Sequence, residues 1–348
     1  MQRICTSLAK NGYAVLLVGR KLKTSIPLKE EPFEQQRLNC FFTKGFSFYL
    51  EYNFRLFVFL LLTRFDAVCA IDLDTILPCY FISTIKNKKR VYDAHELFTE
   101  QKEIVTRPFI HKIWLAIEKF TVPKFNHGYT VNGFIKDEFR KRYNVKYEVV
   151  RNMPVLSTLN EDVKNQSTKF FIYQGAVNEG RGFETLIPAI KQVACKLVIC
   201  GKGNYFNQLQ QLIVENNVED KIDLKGYLTP EELKQFTPQA TFGLTLFEPV
   251  GLNQYQSLSN RFFDYIMAGI PQVCVGYPEY KKINDEFNVA LLVADTEINS
   301  LVLALNNLLI NDVLYKELKQ NCLKARLELN WNTEEKKLIE LYNKVFAE

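Results

Sequence analysis

The chain has 348 residues, 47% of them hydrophobic, with 27 Phe and 17 Tyr among them. That length fits two hydrophobic cores of about 150 residues each, and that composition excludes a disordered or low-complexity protein. The formal charge of +5 is spread along the chain, which suits anionic small ligands or a lipid surface and argues against a DNA-binding groove.

In chain order, Met1, Ile4, Cys5 and Leu8 form one helical face that Gly12 stops, so the chain opens on the helix of a βα unit. The strand expected before it is missing. A cut chain, a late start codon or a sheet with one strand fewer would each account for that. Strand-like runs follow at 13–19, 37–42, 67–72, 90–96, 128–132 and 147–151, most of them separated by helical patterns. The stretch containing "NEDVKNQST" is polar and aperiodic, which predicts a linker over 154–168 between a first domain, 1–153, and a second, 169–331. The second series has strand-like runs at 169–175, 196–201, 221–226, 241–247, 271–276 and 289–294. Within it, Thr229, Pro230 and Glu232 have the spacing of a capping box that starts a helix. Two helices close the chain. Such alternation predicts an α/β protein with parallel sheets and crossover helices.

The longest apolar run, Leu56 to Thr63, is far below the roughly 20 residues that a bilayer span requires. No basic segment followed by an apolar one opens the chain, so the expected compartment is the cytoplasm. Of the eight cysteines, Cys69, Cys195, Cys200 and Cys274 lie in apolar strand-like runs and no Cys-x-x-Cys pair occurs, so they read as reduced core residues. His95, His111 and His127 show no ligand spacing with them, and no metal site is expected.

Two segments carry chemistry. In "FIYQGAVNEGRGFETLIPAI" a strand to Gln174 runs through Gly175, Gly180, Arg181 and Gly182 into a helix with Leu186, Ile190 and Val193 on one face. A strand-to-helix turn of this kind aims backbone N–H groups and a positive dipole end beyond the carboxyl edge of a sheet, and an arginine there offers a donor fork for phosphate oxygens. A diphosphate would fit, and so would nothing more than a tight turn with a solvent-facing arginine. In "LFEPVGLNQYQSLSNRFFDYIMAGIPQV" a strand, a polar loop and a helix ending at Gly269 follow one another, with Arg261 and Asp264 three positions apart on the helix. Taken alone, that pair reads as a surface ion pair of little worth.

Together with "LVICGKG" and "GYLTPEEL", these segments resemble the C-terminal half of glycosyltransferase family 4. "RICTSLAKNGYAVLLVGR", "AIDLDT", "VYDAHELF", "RNMP" and "NWNTEEKKLIELYNKVF" extend the resemblance over nearly the whole chain. The resemblance implies a GT-B architecture, two Rossmann-like domains of mostly parallel sheets facing across a cleft, with the C-terminal helix, 332–348, completing the first domain. It implies a retaining transferase that moves a sugar from a nucleoside diphosphate sugar to a carbohydrate or lipid-linked acceptor, in surface polysaccharide, lipopolysaccharide or glycolipid synthesis, with no cofactor or metal and no nucleic acid partner. Arg181 and Arg261 would neutralise the diphosphate with the Gly175 turn and Lys202. Gly226, Tyr227 and Leu228 would border the base, Asp264 would accept from the ribose hydroxyls, and His95 would face the donor sugar. The family's paired glutamates are eight residues apart, but Gln256 stands eight before Asp264 and Glu248 sixteen before it. Either Glu248 takes the first glutamate's role, or Gln256 and Asn253 hold the sugar hydroxyls.

"DLD", Asp72 to Asp74, has the form of the metal mark of the unrelated GT-A fold; here it ends a strand and reads as strand-end and N-cap residues. The segment 108–125 carries Phe109, Trp114, Phe120 and Phe125 with His111, Lys112, Lys119 and Lys124, either a helix half in the core or a peripheral membrane contact. A sugar-nucleotide 2-epimerase of the same fold, or a truncated non-catalytic binding protein, are the other readings.

Overall fold

The computed structural model describes residues 1–158, 168–249 and 251–347. Most of the segment expected as a linker, 159–167, lies outside the described residues. The chain divides into two compact units, Met1–Arg151 with Glu334–Glu348, and Asn152–Thr333.

The first unit contains α1 (Gln2–Lys10), β1 (Leu16–Lys21), β2 (Glu34–Asn39), α2 (Gly45–Leu62), β3 (Ala67–Ile71), α3 (Ile76–Ile85), β4 (Lys89–Ala94), α4 (Lys102–Val105), α5 (Pro108–Thr121), β5 (His127–Thr130), α6 (Gly133–Tyr143) and β6 (Glu148–Val149). Strands β3-β4-β5-β6 form one parallel sheet in that order and β1-β2 form a separate parallel pair. Both β1 and β3 border a cavity of about 540 Å³ that is also lined by Ile4, Leu8, Leu56 and Tyr342. Strand β2 falls three residues earlier than the run 37–42 expected from the sequence. The N–H groups of Phe41 and Phe42 donate instead to the two carboxylate oxygens of Glu51, both at 2.9 Å, which takes them out of the ladder and into the approach to α2. The core of this unit packs Ile76, Ile82, Tyr92 and Phe125 against Tyr52, Leu56 and Leu60 of α2. Helix α2, at 18 residues, is long and apolar enough to cross a bilayer by length and composition. Glu51 and Arg55 interrupt its apolar run, which is why the sequence alone showed only the stretch from Leu56.

The second unit contains β7 (Phe170–Gln174), α7 (Phe183–Ile190), β8 (Lys196–Cys200), α8 (Phe206–Glu215), β9 (Ile222–Gly226), α9 (Pro230–Phe236), β10 (Phe242–Thr245), α10 (Leu252–Tyr255), α11 (Asn260–Ala268), β11 (Gln272–Val275), α12 (Pro278–Phe287), β12 (Ala290–Val293), α13 (Ile298–Ile310) and α14 (Asp312–Ala325). A last helix, α15 (Trp331–Ala347), places Tyr342 and Phe346 against Tyr13 in the first unit, with ring centroids 6.0 and 5.4 Å away. The six strands are all parallel in the order β12-β11-β10-β7-β8-β9. Every residue of β7, β10 and β11 is buried, the consequence of helices covering both faces of a parallel sheet. The capping box at Thr229 is formed, with both reciprocal hydrogen bonds present.

That strand order has a decisive consequence. The chain winds outward from β7 through β8 and β9, then returns to the other side of β7 with β10. The turns leaving β7 and β10 therefore diverge from adjacent strands, and the carboxyl ends of such a pair are where doubly wound sheets take ligands.

Candidate functional site

The β7 turn is stitched to its neighbour by backbone hydrogen bonds. Gly175 N–H donates to the Cys200 carbonyl at 2.9 Å, Val177 N–H to Lys202 at 3.2 Å and Tyr205 N–H to Val177 at 3.0 Å. Gly175 has φ +120°, Gly180 +77° and Gly182 +73°, conformations that side chains resist, so the glycines of this segment set its path into α7. From the β10 side, Glu248 N–H donates to the Gly180 carbonyl at 3.1 Å, and Gln254 Nε2 donates to the same oxygen at 2.6 Å. Gln254 is a support for the turn that sequence reasoning passed over.

The two arginines meet over one ring. The Arg181 guanidinium carbon lies 4.6 Å and that of Arg261 5.1 Å from the centroid of Phe247, and Arg261 also covers Tyr173 at 4.2 Å. A side chain at Gly175 would meet Arg261 Nη2 at 3.5 Å, which places this guanidinium directly against the turn. Arg261 is only 7% exposed, and Arg181 is half-buried. Among the described residues, Arg181 Nε and Arg261 Nη1 have no hydrogen-bond partner. Burial first, and the neighbouring Arg261 charge second, pull Arg181 below the ordinary arginine pKa. Two charged donor forks against one aromatic ring, each with an N–H group unspent, have the chemistry to hold an anion.

Among the described residues, Asp264 and Arg261 form no ion pair of the kind a surface reading of the helix suggested. Asp264 Oδ2 accepts from Gln174 Nε2 at 3.0 Å, and Gln174 Oε1 accepts from the Thr237 hydroxyl at 2.7 Å. Gln174 is 4% exposed, so this chain orients the carboxylate from inside the sheet. Gln174 and Thr237 carry no local sequence signal that could have found them. Lys202 is exposed with its Cε 3.4 Å from where a Gly226 side chain would begin, and Tyr227 is exposed beside it. Asn253 lies in α10 and Gln256 caps it, both half-buried, as is Glu248.

His95 belongs to the first unit, at the carboxyl end of β4. Its Nε2 lies 3.3 Å from Asp93 Oδ2, which also accepts from the Tyr129 hydroxyl at 2.8 Å. Asp72 does not cap the turn that follows it: its side chain accepts the His95 N–H at 2.9 Å, and the residue holds φ +53°. Burial disfavours the imidazolium, but the hydrogen bond and charge of Asp93, with Asp72 behind them, outweigh it and push His95 up to about 9. Burial raises Asp72 to about 7 against the opposing pull of His95. A histidine whose folded pKa stands above its unfolded value adds stability below about 6.5 and loses that contribution as pH rises through about 9. The expected NMR titration of His95 therefore has its midpoint near 9, and Asp93→Asn lowers that midpoint by at least about one unit. A wild-type midpoint at or below the free histidine value would overturn the dyad. Among the described residues, no three His, Cys, Asp or Glu side chains gather as a metal site, and all eight cysteines are free thiols.

Residues 158–325 match the family model described as glycosyl transferases group 1. Over 133 residues the chain is 26% identical to the O-antigen chain mannosyltransferase RfbU of Salmonella typhimurium, an alignment covering 36% of this chain and 37% of that protein. The chain thus spans just over a third of this curated relative's length. Among solved structures it is similar to sucrose-phosphate synthase from Thermosynechococcus elongatus, with a TM-score of 0.82 and 16% identity over 99% of this chain and 92% of the other. It is also similar to Anabaena Alr3699/HepE in complex with UDP and glucose, with a TM-score of 0.76 and 13% identity over 98% and 95%. The fold is the α/β GT-B fold of these proteins.

Proposed function

We propose that the protein is a glycosyltransferase that moves a sugar from a nucleoside diphosphate sugar to an acceptor hydroxyl, with retention of configuration. The observation that carries this reading is the pair of guanidiniums, Arg181 and Arg261, over Phe247 at the switch point of the second sheet, each with one nitrogen that has no hydrogen-bond partner among the described residues. Support comes from the family model, which spans both arginines, and from the UDP and glucose held by the Anabaena structure. The O-antigen chain mannosyltransferase relative favours synthesis of a surface polysaccharide or lipopolysaccharide; a carbohydrate or lipid-linked acceptor and a place on the cytoplasmic side of the membrane are part of the proposal.

In this reading the acceptor oxygen bonds to the anomeric carbon while the bond from that carbon to the β-phosphate oxygen breaks. The acceptor proton passes to the departing phosphate, and Arg181, Arg261 and the N–H groups at the start of α7 stabilise its charge. Asp264, oriented by Gln174, accepts from the ribose hydroxyls, the Gly226 to Leu228 segment borders the base, and Lys202 adds a cation. Glu248, Asn253 and Gln256 lie on the segment between β10 and α11 that would line the sugar.

A thermal-shift and calorimetry screen against UDP, GDP, CDP and ADP tests the reading. One nucleotide, at a hundred times its dissociation constant, is expected to stabilise the protein by about 2.7 kcal/mol, a rise of several degrees in Tm. Asp264→Ala and Arg181→Ala are expected to remove that response. Absence of binding to all four nucleotides, or variants that respond like the wild type, would sink the donor site.

A further inference from the structure

Helix α2 is apolar over most of its circumference, a pattern that in a water-soluble domain belongs to a buried helix, yet only Tyr52, Leu56 and Leu60 of its residues are buried. Its opposite face presents Phe46, Leu50, Phe54, Val58 and Leu62 in steps of four, at 66%, 62%, 66%, 37% and 80% exposure. Phe41 and Phe42, just before the helix, are 84% and 53% exposed. The apolar surface continues on α3, which packs beside α2 and exposes Phe81 and Ile85, and from Phe81 to Phe120 of α5, with ring centroids 6.4 Å apart. Exposed apolar side chains scattered singly are ordinary; a contiguous stripe along a five-turn helix needs a partner.

The charges around the stripe say which partner. Glu51, the one acidic side chain within α2, is consumed by Arg55 at 2.8 Å and by the Phe41 and Phe42 N–H groups. Lys44 and Arg64 stand exposed at the two ends of the helix. Lys86 Nζ caps its carboxyl end at the Leu60 and Thr63 carbonyls, 2.9 and 2.7 Å away. On α5 and just beyond it, Lys112, Lys119 and Lys124 are exposed, with Lys124 Nζ 3.5 Å above the Phe120 ring. A second copy of this chain docked face to face would bring these cations against their own images, whereas anionic lipid headgroups would pair with them while the stripe enters the acyl boundary.

We propose that the outer face of α2, with the adjoining edges of α3 and α5, seats the protein on an anionic lipid bilayer. The helix is about 27 Å long at 1.5 Å per residue, but Tyr52, Leu56 and Leu60 pin its inner face to the core, so it lies in the interface and does not cross. The seat is centred on α2; on α5, Trp114 turns inward to Phe98, 4.8 Å between centroids, and leaves only Phe109 and Phe120 of its rings exposed. The inference does not depend on the donor site, and its test uses no nucleotide.

The test is flotation of the whole chain with phosphatidylcholine vesicles and with vesicles containing phosphatidylglycerol, at low and high salt, with light scattering of the protein alone. The wild type is expected to float with the anionic vesicles, less so at high salt. A Phe46→Ser/Leu50→Ser/Phe54→Ser variant is expected to lose at least about tenfold in bound fraction with its circular dichroism unchanged. Lys44→Glu/Arg64→Glu, which removes no apolar surface, is expected to lose the preference for anionic vesicles. A wild type that stays unbound with both vesicle types, or serine and glutamate variants that float like it, overturns the proposal. So does a wild-type dimer that binds no vesicles and that the serine variant dissociates, which would make this face a self-interface.

Discussion

Arg261→Met is expected to abolish the thermal stabilisation by nucleoside diphosphate while leaving the ligand-free protein as stable as the wild type, or more so. The guanidinium is 7% exposed, its Nη1 has no hydrogen-bond partner among the described residues, and it lies against the rings of Tyr173, with which it also shares a hydrogen bond, and Phe247. A buried charge without a counter-ion is costly, and an unbranched apolar side chain of similar length removes that cost while keeping much of the packing. The bound diphosphate is what would supply the missing counter-charge. In a transferase assay the same variant is expected to lose about 10²–10³ in kcat/KM, the usual scale for deleting one donor to developing negative charge. A variant that melts several degrees lower without ligand, yet still responds to nucleotide, would make Arg261 a structural cation and move the anion site elsewhere.

Gly201→Ala is expected to cost about 3 kcal/mol or more, or to prevent folding of the second unit. A Cβ at Gly201 would stand 1.8 Å from the Gly175 carbonyl oxygen, a backbone atom that cannot swing aside. The two turns are joined at that point by the Gly175 N–H to Cys200 hydrogen bond, so displacing one displaces the other and opens the segment that holds Arg181. Gly251→Ala is the control. Its φ is +79° but nothing lies within 4 Å of its Cβ position, so only the left-handed backbone penalty of about 1–2 kcal/mol applies. Urea unfolding of both variants compares the two; equal losses would mean that the β7 and β8 turns are not in close contact.

Much of this fold was legible because the parallel strands are covered on both sides. Strands such as β7, β8 and β10 must then be unbroken apolar runs, and each of the twelve strand segments read from the sequence overlaps a strand in the structure. Gly175, Gly180 and Gly182 were legible for a related reason: a turn that needs left-handed backbone needs glycine, wherever the rest of the chain goes. The outer face of α2 was not legible. Glu51 and Arg55 interrupt the apolar pattern, and only the packing of Tyr52, Leu56 and Leu60 shows which side is left uncovered.

The sequence by itself determined the strand-and-helix alternation, the glycine-rich turn and the capping box at Thr229, because backbone preference and side-chain period act over a few residues. Only the tertiary structure decided that Arg181 and Arg261 share Phe247, and that Gln174 and Thr237 hold Asp264. Asp264 lies 90 residues from Gln174 and Thr237 lies 63 from it, and no local period carries information across such separations. The order of six parallel strands brings those side chains together, and that order is set by burial of the whole sheet.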